Sequence, residues 1–245
     1  MEHLILYNTP LTKIRVGNQN DGGYVIAKLE NKYDLFIAGG ICDDISFEED
    51  FIKLYPDLLC YAFDGTIDYL PNNNIQNIKF IKKNISNIND KNFTDLCEYM
   101  NNYNNIFMKI DIEGFEFKVL PVLIEKYYIN KIKQLVVEIH SPADIHTFPD
   151  YYKGLSDINN KHMLNMFKNI NKTHTLIHLH ANNGPDMTTI TGIKVPHVFE
   201  LTYVRNDYIT DKFKNTIPLP TILDGCNVTT KKDYILDWFP FVNIN

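Results

Sequence analysis

Two apolar runs, one that ends in glycines and one that ends in an acid, constrain the fold of this chain most. The first run, Tyr33 to Gly40 (YDLFIAGG), ends at two glycines, and the second, Cys60 to Gly65 (CYAFDG), ends at Asp64 and a glycine. In open α/β sheets, a glycine turn after the first strand faces a nucleotide-like ligand, and an acid after the second strand reaches the ribose hydroxyls. The pattern therefore predicts an α/β protein with a ligand cleft at the carboxyl ends of its strands.

The glycine turn indicates which kind of ligand this cleft accepts. A dinucleotide pyrophosphate requires the spacing G-x-G-x-x-G, and the chain does not have that motif. We therefore interpret Gly39 and Gly40 as a turn that admits an adenosyl group without a pyrophosphate. S-adenosylmethionine (SAM) is such a ligand, whereas NAD-dependent redox chemistry is excluded by the missing glycines.

Strand-like and helix-like runs alternate along the chain, which is typical of βαβ units. Strands are predicted near 34–39, 57–63, 78–82, 105–111, 133–140, 175–181 and 198–204. Helices are predicted near 46–55, with Ser46 as its N-cap, and near 91–103, 114–127 and 159–172. Little sequence separates the last strand from the previous one, so we expect it to be inserted antiparallel into an otherwise parallel, Rossmann-like sheet with helices on both faces.

The 245 residues predict a single domain that spans 1–245. Segment 1–30 contains the glycine pair of NDGGYV beside an acid and an aromatic residue, which predicts a lid or cap over the ligand. Segment 207–245 is rich in proline and aromatic residues and is predicted to wrap around the domain.

Charge and cysteine content bound the partners and the compartment. The net charge of −6 argues against a nucleic-acid partner, which usually demands a basic face. The four cysteines form no C-x-x-C pair, and no apolar run approaches the roughly 18 residues of a membrane span. The N-terminus lacks the features of a signal peptide. We expect a reduced cytoplasmic protein without a membrane span, and leave the oligomeric state open, a homo-oligomer included.

Polar side chains follow one another at the ends of two further predicted strands. The motif IFMKIDIEG places Lys109 and Asp111 on one strand face, and LVVEIH places Glu138 and His140 on one face. Ligands bind at the carboxyl ends of parallel strands in this architecture. If the two strands are neighbours, the four groups converge beside the cleft, where their burial requires that they pair or bind something.

Two alternatives are open for these four groups. Either they form a charge network in which Lys109 pairs with Glu138, or Asp111, Glu138 and His140 hold a hard cation such as Mg²⁺ or Mn²⁺. We favour the metal because carboxylates and a histidine crowd the same strand ends. Asp111, His140 and Lys109 are the predicted catalytic residues, with Asp111 or His140 as the base.

A second set of polar residues is predicted to bind the substrate. The set comprises Asp21, Tyr24, Glu113, His180 and Asn182. His180 and Asn182 belong to HLHANN, which ends another strand and offers hydrogen-bonding groups for a polyol. Helix capping is the alternative role for Glu113, and packing within the core is the alternative for His180.

Five motifs, in this order and spacing, resemble the FkbM-type SAM-dependent methyltransferases. They are NDGGYV, FIAGGICDDISFE, AFDGT, FMKIDIEGFEF and LVVEIH. The resemblance is strongest over residues 14–140 and is closest to the branch of bacterial capsule and surface-sugar clusters, which includes heptose O-methyltransferases. The chain departs from the family's glycine motif, D-x-G-A-N-x-G, because it has AGGICDD at that place.

The resemblance implies a Rossmann-like methyltransferase sheet and specific roles for single residues. SAM would contact Gly39, Gly40 and Asp43 on its methionine side, Asp64 at the ribose, Asn84 and Ile85 at the adenine, and Asp111 on the side of the acceptor. The implied reaction is O-methyl transfer to a sugar hydroxyl, with a nucleotide-activated heptose or a polysaccharide as acceptor. RNA ribose 2′-O-methylation and a non-catalytic nucleotide-binding module are the alternatives.

Overall fold

A seven-stranded sheet forms the centre of the computed structural model, which describes residues 1–30, 33–72 and 75–243. Its strands are β1 (Leu35–Gly39), β2 (Cys60–Phe63), β3 (Ile78–Ile81), β4 (Ile106–Ile110), β5 (Ile132–His140), β6 (His174–Ala181) and β7 (Val198–Arg205). The spatial order is β3-β2-β1-β4-β5-β7-β6, and β7 alone in this sheet runs antiparallel to its neighbours. The predicted Rossmann-like sheet, with its antiparallel last strand, is therefore confirmed, as are all seven predicted strands.

Three of the four predicted helices correspond to helices in the described ranges. They are α1 (Ser46–Leu54), α2 (Cys97–Met100), α3 (Glu116–Glu125), α4 (Pro142–Thr147) and α5 (Asn160–Ile170), with 3-10 turns at Glu2–Leu4, Tyr128–Lys131 and Asn206–Tyr208. The predicted helix at 91–103 is too long, because Phe93–Thr94 pairs with Asn84–Ile85 as short strands. Within the described ranges, no helix is long and apolar enough to cross a membrane.

The start of α1 differs from the prediction by one residue. Ser46 is the first helical residue rather than the N-cap, and Ile45 occupies the cap position. Asp44 provides the acceptor instead, because its Oδ1 lies 2.8 Å from the Ser46 backbone nitrogen. The helix thus begins with a carboxylate where its dipole favours negative charge.

The two faces of the sheet are covered by different elements. On one face, α2, α3 and α5 contribute Met100, Leu120 and Phe167 to a single buried cluster with the sheet. On the other face, α1 shares the cover with an antiparallel hairpin of strands Lys13–Val16 and Tyr24–Ala27. The prediction of helices on both faces is confirmed, with the hairpin in the place of further helices.

The hairpin of segment 1–30 is hydrogen-bonded to the sheet. Tyr24–Ala27 is buried along its whole length. The Gln134 side chain of β5 bonds to the Ala27 backbone at 2.7 and 3.1 Å, and the Thr202 hydroxyl of β7 donates to the Val25 carbonyl at 2.6 Å. Its backbone polar groups have partners in the sheet, as buried ones require, and the segment caps the sheet face.

The remaining short strands lie at the periphery, and the predicted C-terminal wrap contacts them over its described part. Phe213–Lys214 pairs with Tyr7–Asn8, and Met187–Ile190 forms a hairpin with Ile193–Pro196. Leu219 and Leu236 form an isolated bridge and are both buried. Residues 244–245 of the predicted wrap lie outside the described residues.

We expect Phe107→Ala to lower the free energy of unfolding by about 3–5 kcal/mol, the usual cost of a large cavity in a packed core. Phe107 is fully buried, and its ring centroid lies 4.0 Å from that of Phe51 and 5.3 Å from that of Phe36. Urea denaturation measures the change. The matched control Tyr69→Ala removes a side chain that is 71% exposed and should change stability by less than about 0.5 kcal/mol. Equal losses would contradict this account of the core.

Candidate functional site

A cavity of about 530 Å³ lies at the carboxyl ends of β1, β2 and β4. The strand order changes direction between β1 and β4, and ligands bind at such a switch point in open α/β sheets. The volume lies within the range of cofactor and small-molecule sites. The lining residues are Gly40, Cys42, Phe63, Asp64, Thr66, Lys83, Asn84, Ile85, Phe93, Asp111, Ile112, Glu113, Phe115, Tyr151 and Lys153.

The glycine turn lies in direct contact with the end of β4. Gly40 has a φ of +76°, and a Cβ placed on it would lie 1.6 Å from the Asp111 carbonyl oxygen. The Asp111 backbone N–H donates to the Gly39 carbonyl at 3.0 Å. A Cβ on Gly39 would lie 2.4 Å from Ile85 Cδ1. Gly40 is therefore needed for the close approach of backbone at the cavity, whereas Gly39 makes room for the Ile85 side chain.

Lys109 lies beneath the glycine turn rather than in the cavity. Its ammonium donates to the Gly40 carbonyl at 3.2 Å and lies 4.0 Å from Glu48 of α1. Burial opposes its charge, but the carboxylates of Glu48 and Asp111 outweigh this and raise the pKa of Lys109. The expected pairing with Glu138 is thus replaced by Glu48, and the contacts of Lys109 support the turn.

The Asp64 carboxylate ties the glycine loop to β2. Oδ2 accepts from the backbone N–H groups of Ile41 and Cys42 at 3.0 and 2.9 Å. Oδ1 accepts from the backbone and the hydroxyl of Thr66 at 2.7 and 2.6 Å. Burial opposes ionisation, yet these bonds lower the pKa of Asp64. Asp64 lines the cavity as predicted, and its ribose contact stays a prediction.

Most of the residues predicted to contact the cofactor meet in the cavity wall. Asn84 and Ile85 line it beside Phe63 and Phe93, and Asn84 Oδ1 also accepts from the Gly65 backbone at 3.2 Å. Asp43 is an exception, because its side chain is exposed and is not part of the lining. The residue of this loop that lines the cavity is Cys42, with a φ of +48°.

His140 forms a hydrogen-bonded dyad with Asp144 of α4. Its Nδ1 lies 2.8 Å from Asp144 Oδ2, and the Tyr152 hydroxyl lies 2.7 Å from both atoms. The carboxylate favours a proton on Nδ1, and Nε2 faces Glu113 Oε2 at a distance of 3.2 Å. Burial works against protonation, but Asp144, Glu116 and Glu113 together raise the pKa of His140.

The turn after β4 brings Asp111 and Glu113 to His140. Glu113 and Gly114 both have positive φ, at +55° and +85°, and the turn is closed by buried Glu116, whose Oε1 accepts from the Ile112 backbone at 2.7 Å. Burial raises the pKa of Glu116 to about 8. The capping function considered for Glu113 therefore belongs to Glu116, and the Glu113 side chain is free to line the cavity.

In the structure, Glu113 rather than Glu138 lies with the other two residues of the predicted metal-binding set. Ligand atoms of Asp111, Glu113 and His140 lie within 4.8 Å of one another. Parallel pairing of β4 and β5 aligns Ile110 with Val137, so Glu138 lies beside Asp111. His140 lies two residues, roughly 6.6 Å, farther along, where the turn carries Glu113. Two carboxylates and an imidazole oriented by Asp144 are a donor set that suits Mg²⁺ or Mn²⁺.

Tyr24 and Asn182 contact the acidic residues behind the cavity wall. The Tyr24 hydroxyl lies 2.9 Å from Asp111 Oδ2 and 3.4 Å from Glu138 Oε2. Asn182 Nδ2 lies 3.0 Å from Glu138 Oε1. Burial, followed by the charges of Asp111 and Glu200, raises the pKa of Glu138 well above its ordinary value. Neither Tyr24 nor Asn182, both predicted to bind substrate, lines the cavity.

The other two predicted substrate residues lie away from the cavity. His180 is buried between Glu200 and Asp233, at 2.9 and 3.0 Å. Burial opposes its charge, but these two carboxylates raise the pKa of His180 to about 10. Asp21 is exposed and accepts from Asn227 at 3.0 Å. These contacts agree with the packing alternative considered for His180, and they join the C-terminal segment to the sheet.

Sequence reasoning missed Asp144, Tyr151, Tyr152 and Lys153, which complete the site. A signal for Asp144 was present, because the Ser141-Pro142 pair directly after β5 is a typical helix start, and Asp144 lies one helical turn after His140. The loop between α4 and α5, which carries the other three, offers no comparable pattern.

The sequence matches no protein-family model and no curated protein. Among the solved structures similar to this chain, three share 10–12% identity with it and serve as examples. They are the fibrillarin pre-rRNA processing protein of Methanococcus jannaschii (12% identity, 71% of this chain, 67% of that chain, TM-score 0.37), the plantazolicin methyltransferase BpumL with SAH (10%, 72%, 77%, 0.40) and the precorrin-6y C5,15-methyltransferase of Geobacter metallireducens (10%, 73%, 83%, 0.37). Likeness at this level transfers neither ligand nor activity.

We expect Gly40→Ala to destabilise the chain more than Gly192→Ala, although both glycines have similar φ values of +76° and +81°. The control position has nothing within 4 Å of an added Cβ. It should therefore cost only the roughly 1–2 kcal/mol of left-handed backbone, whereas the contact with Asp111 adds about 1–3 kcal/mol. Urea unfolding of both variants measures the difference, and equal costs would contradict the close contact.

Proposed function

We propose that this chain transfers the methyl group of SAM to a hydroxyl group of a sugar. The observation that supports this most is the arrangement around one cavity, with a glycine turn that excludes side chains at its floor and the His140–Asp144 dyad beside two carboxylates. SAM, when bound, supplies a methyl group that its sulfonium already activates. The protein must then hold the acceptor oxygen in line and accept one proton.

The lining residues fit an adenosyl sulfonium. Phe63, Ile85 and Phe93 offer apolar faces for a planar base, and Asn84 adds an amide beside them. The carboxylates of Asp111 and Glu113, which also line the cavity, would offset the positive charge of the sulfonium. A Cβ at Gly40 would collide with the cavity floor, which agrees with a cofactor lying close to the backbone there.

His140 is the base in this proposal. The acceptor oxygen forms a bond to the methyl carbon while the methyl–sulfur bond breaks, the sulfur keeps that electron pair, and the hydroxyl proton moves to His140 Nε2. Asp144 holds the ring in position and stabilises the imidazolium that results. A positioned base of this kind contributes about 10²–10⁴-fold to the rate.

The resemblance to the capsule branch of the FkbM-type enzymes supports a sugar acceptor, and the cavity supports one that carries phosphate. Lys83 and Lys153 line the cavity, and neither forms an ion pair in the described part of the chain. On a chain of net charge −6, two unpaired cations there suit the phosphates of a nucleotide-activated sugar such as a heptose. All four cysteines are free thiols, which supports the cytoplasmic location included in this proposal.

The decisive experiment incubates the protein with SAM and a panel of nucleotide sugars and weighs the products. A mass gain of one methylene equivalent on one sugar is expected, together with calorimetric binding of SAM. Absence of SAM binding would favour a non-catalytic binding module. Salt-sensitive retention of RNA on filters, with methylation of ribose, would favour an RNA 2′-O-methyltransferase instead.

Replacement of His140 by Gln should lower kcat by about 10²–10⁴-fold, because the proton acceptor is lost. In the wild type, kcat should fall as the pH drops through the raised pKa of His140, since the imidazolium cannot accept a proton. Asp144→Asn removes a contact that raises this pKa, so the acid limb should move to lower pH. Steady-state rates from pH 5 to 9 measure both effects. The control His146→Gln alters an exposed histidine of α4, the helix that carries Asp144, and should change neither kcat nor the position of the acid limb.

Exhaustive chelation with EDTA should leave turnover in place, because the base proposed here is His140 oriented by Asp144, instead of the metal favoured from the sequence. Asp111, Glu113 and His140 would hold a Mg²⁺ or Mn²⁺ ion if one binds, and the ion would lower the pKa of the acceptor hydroxyl. The assay compares rates before and after chelation and after each metal is returned. A loss of activity that Mg²⁺ or Mn²⁺ restores would reassign these three residues to a metal centre.

A further inference from the structure

We propose that the loop between α4 and α5, residues 148–159, forms the acceptor subsite, with Tyr151 as the platform for the sugar ring and Lys153 as the partner of its phosphate. This inference rests on the proposed function, because it divides the same cavity between cofactor and acceptor. It also gives different roles to the two lysines of the cavity, Lys83 and Lys153.

The order of the strands separates the cavity into two ends. Phe63 ends β2 and Asn84 follows β3, whereas His140 ends β5. In the order β3-β2-β1-β4-β5, β2 and β5 are three strands apart, which is about 14 Å at the usual spacing of strands. An adenosyl group held at the first end therefore leaves the second end, beside the proposed base, for the acceptor.

Two buried residues fix the loop at this second end. A Cβ placed on Gly114 would lie 2.7 Å from Leu155 Cδ1, so the fully buried Leu155 packs directly against the turn after β4. Tyr152 is also buried, and its hydroxyl lies 2.7 Å from both His140 Nδ1 and Asp144 Oδ2. The loop is thus attached to the turn and to the dyad.

The two residues that flank Tyr152 in the sequence line the cavity. Tyr151 and Lys153 are both exposed, whereas Tyr152 between them is buried. The Lys153 backbone N–H donates to the Tyr151 carbonyl at 3.0 Å, which closes a three-residue turn around Tyr152. The turn therefore brings an accessible aromatic ring and an accessible ammonium group to the same end of the cavity.

The Tyr151 ring suits a sugar because it is accessible and yet supported. It is 64% exposed, and it packs edge-to-face with the ring of Tyr152, with centroids 4.9 Å apart and planes at 90°. The negative face of an aromatic ring attracts the C–H groups of a sugar, and the tyrosine hydroxyl adds a hydrogen bond. Tyr152 thus connects this platform to His140, the proposed base.

Lys153 is the lysine that lies at the acceptor end. Lys83 follows β3, which is four strands away from β5, and so belongs to the end proposed for the adenosyl group. An ammonium group forms strong, charge-assisted hydrogen bonds to phosphate oxygens. A sugar without phosphate loses this contact, so Lys153 sets a preference for acceptors that carry phosphate.

Substitutions in the loop test the subsite, with the nucleotide sugar that the panel identifies as acceptor. Tyr151→Ala should raise the acceptor KM about 3–10-fold, whereas Tyr151→Trp keeps a ring and should stay within about twofold. Lys153→Gln should raise the acceptor KM about 10-fold or more, because a hydrogen bond between charged groups is lost. Since these contacts only bind the acceptor, kcat and the Kd of SAM should change less than about twofold.

Matched controls exist in the same part of the molecule. Phe148→Ala removes another exposed aromatic residue of the loop, and Lys161→Gln removes an exposed lysine of α5. Neither residue lines the cavity, so neither variant should change the acceptor KM.

A second acceptor separates the roles of the two loop residues. The methyl glycoside of the same sugar keeps the ring and lacks the phosphate. Tyr151→Ala should therefore raise KM for both acceptors, whereas Lys153→Gln should raise it for the nucleotide sugar alone.

Several results would overturn the proposal. If Tyr151→Ala weakens SAM as much as the acceptor, the ring belongs to the cofactor end; if Lys83→Gln raises the acceptor KM more than Lys153→Gln does, the phosphate lies at the other end. Unchanged KM values in Tyr151→Ala and Lys153→Gln would contradict the subsite altogether.

Binding of inorganic pyrophosphate, measured by calorimetry, is a readout that needs no turnover. Lys153→Gln should weaken this binding about 10-fold, and Lys161→Gln should leave it unchanged. Equal binding by wild type and Lys153→Gln, or none by the wild type, would contradict the role of Lys153. A wild-type protein that binds no SAM would defeat the proposed function, while the pyrophosphate titration would still decide on Lys153.

Discussion

The contact between two backbones, at Gly40 and Asp111, is the constraint on which the site depends. A side chain at Gly40 would lie 1.6 Å from the Asp111 carbonyl, so only glycine lets β1 end directly against the turn that follows β4. This contact holds Asp111 directly against the glycine turn, at the switch point of the sheet where the cavity lies. Asp64 and Lys109 then hold the turn from its two sides. The site is built from backbone geometry first and from side chains second.

The carboxyl edge of the sheet concentrates charge, and the structure compensates that charge in two ways. Some buried groups are paired, as Lys109 is with Glu48 and His180 is with Glu200. For others, Glu116 and Glu138, burial raises the pKa and so disfavours the charged form. Asp111 and Glu113 line the cavity, and His140 lies behind Glu113, with its Nε2 3.2 Å from Glu113 Oε2. Whether an acid supports the structure or lines the cavity is therefore set by how deeply it is buried and by the groups that it contacts.

The sequence predicts the sheet well because its signals are local. The seven apolar runs have the length and the end residues of strands, and alternation correctly separates Val137 from Val136 into different buried clusters. Convergence of Asp111 and His140 also follows, since neighbouring parallel strands end at the same edge. That Glu113 rather than Glu138 joins Asp111 and His140 depends on the register of β4 and β5 and on a turn whose residues have positive φ. The hairpin cover depends on tertiary packing, which no local pattern encodes, whereas the helix start at Ser141-Pro142 was a local signal for the dyad partner Asp144.

The buried hairpin has a consequence for how the molecule is assembled. Its bonds to the sheet join residues that are 107 and 177 positions apart, from Ala27 to Gln134 and from Val25 to Thr202. Contacts this distant along the chain slow folding, because a long loop must close before they form. During synthesis, Tyr24 emerges well before β5 and β7, the strands against which it docks. The hydroxyl that contacts Asp111 is therefore among the first parts of the site to be made and among the last to reach its place.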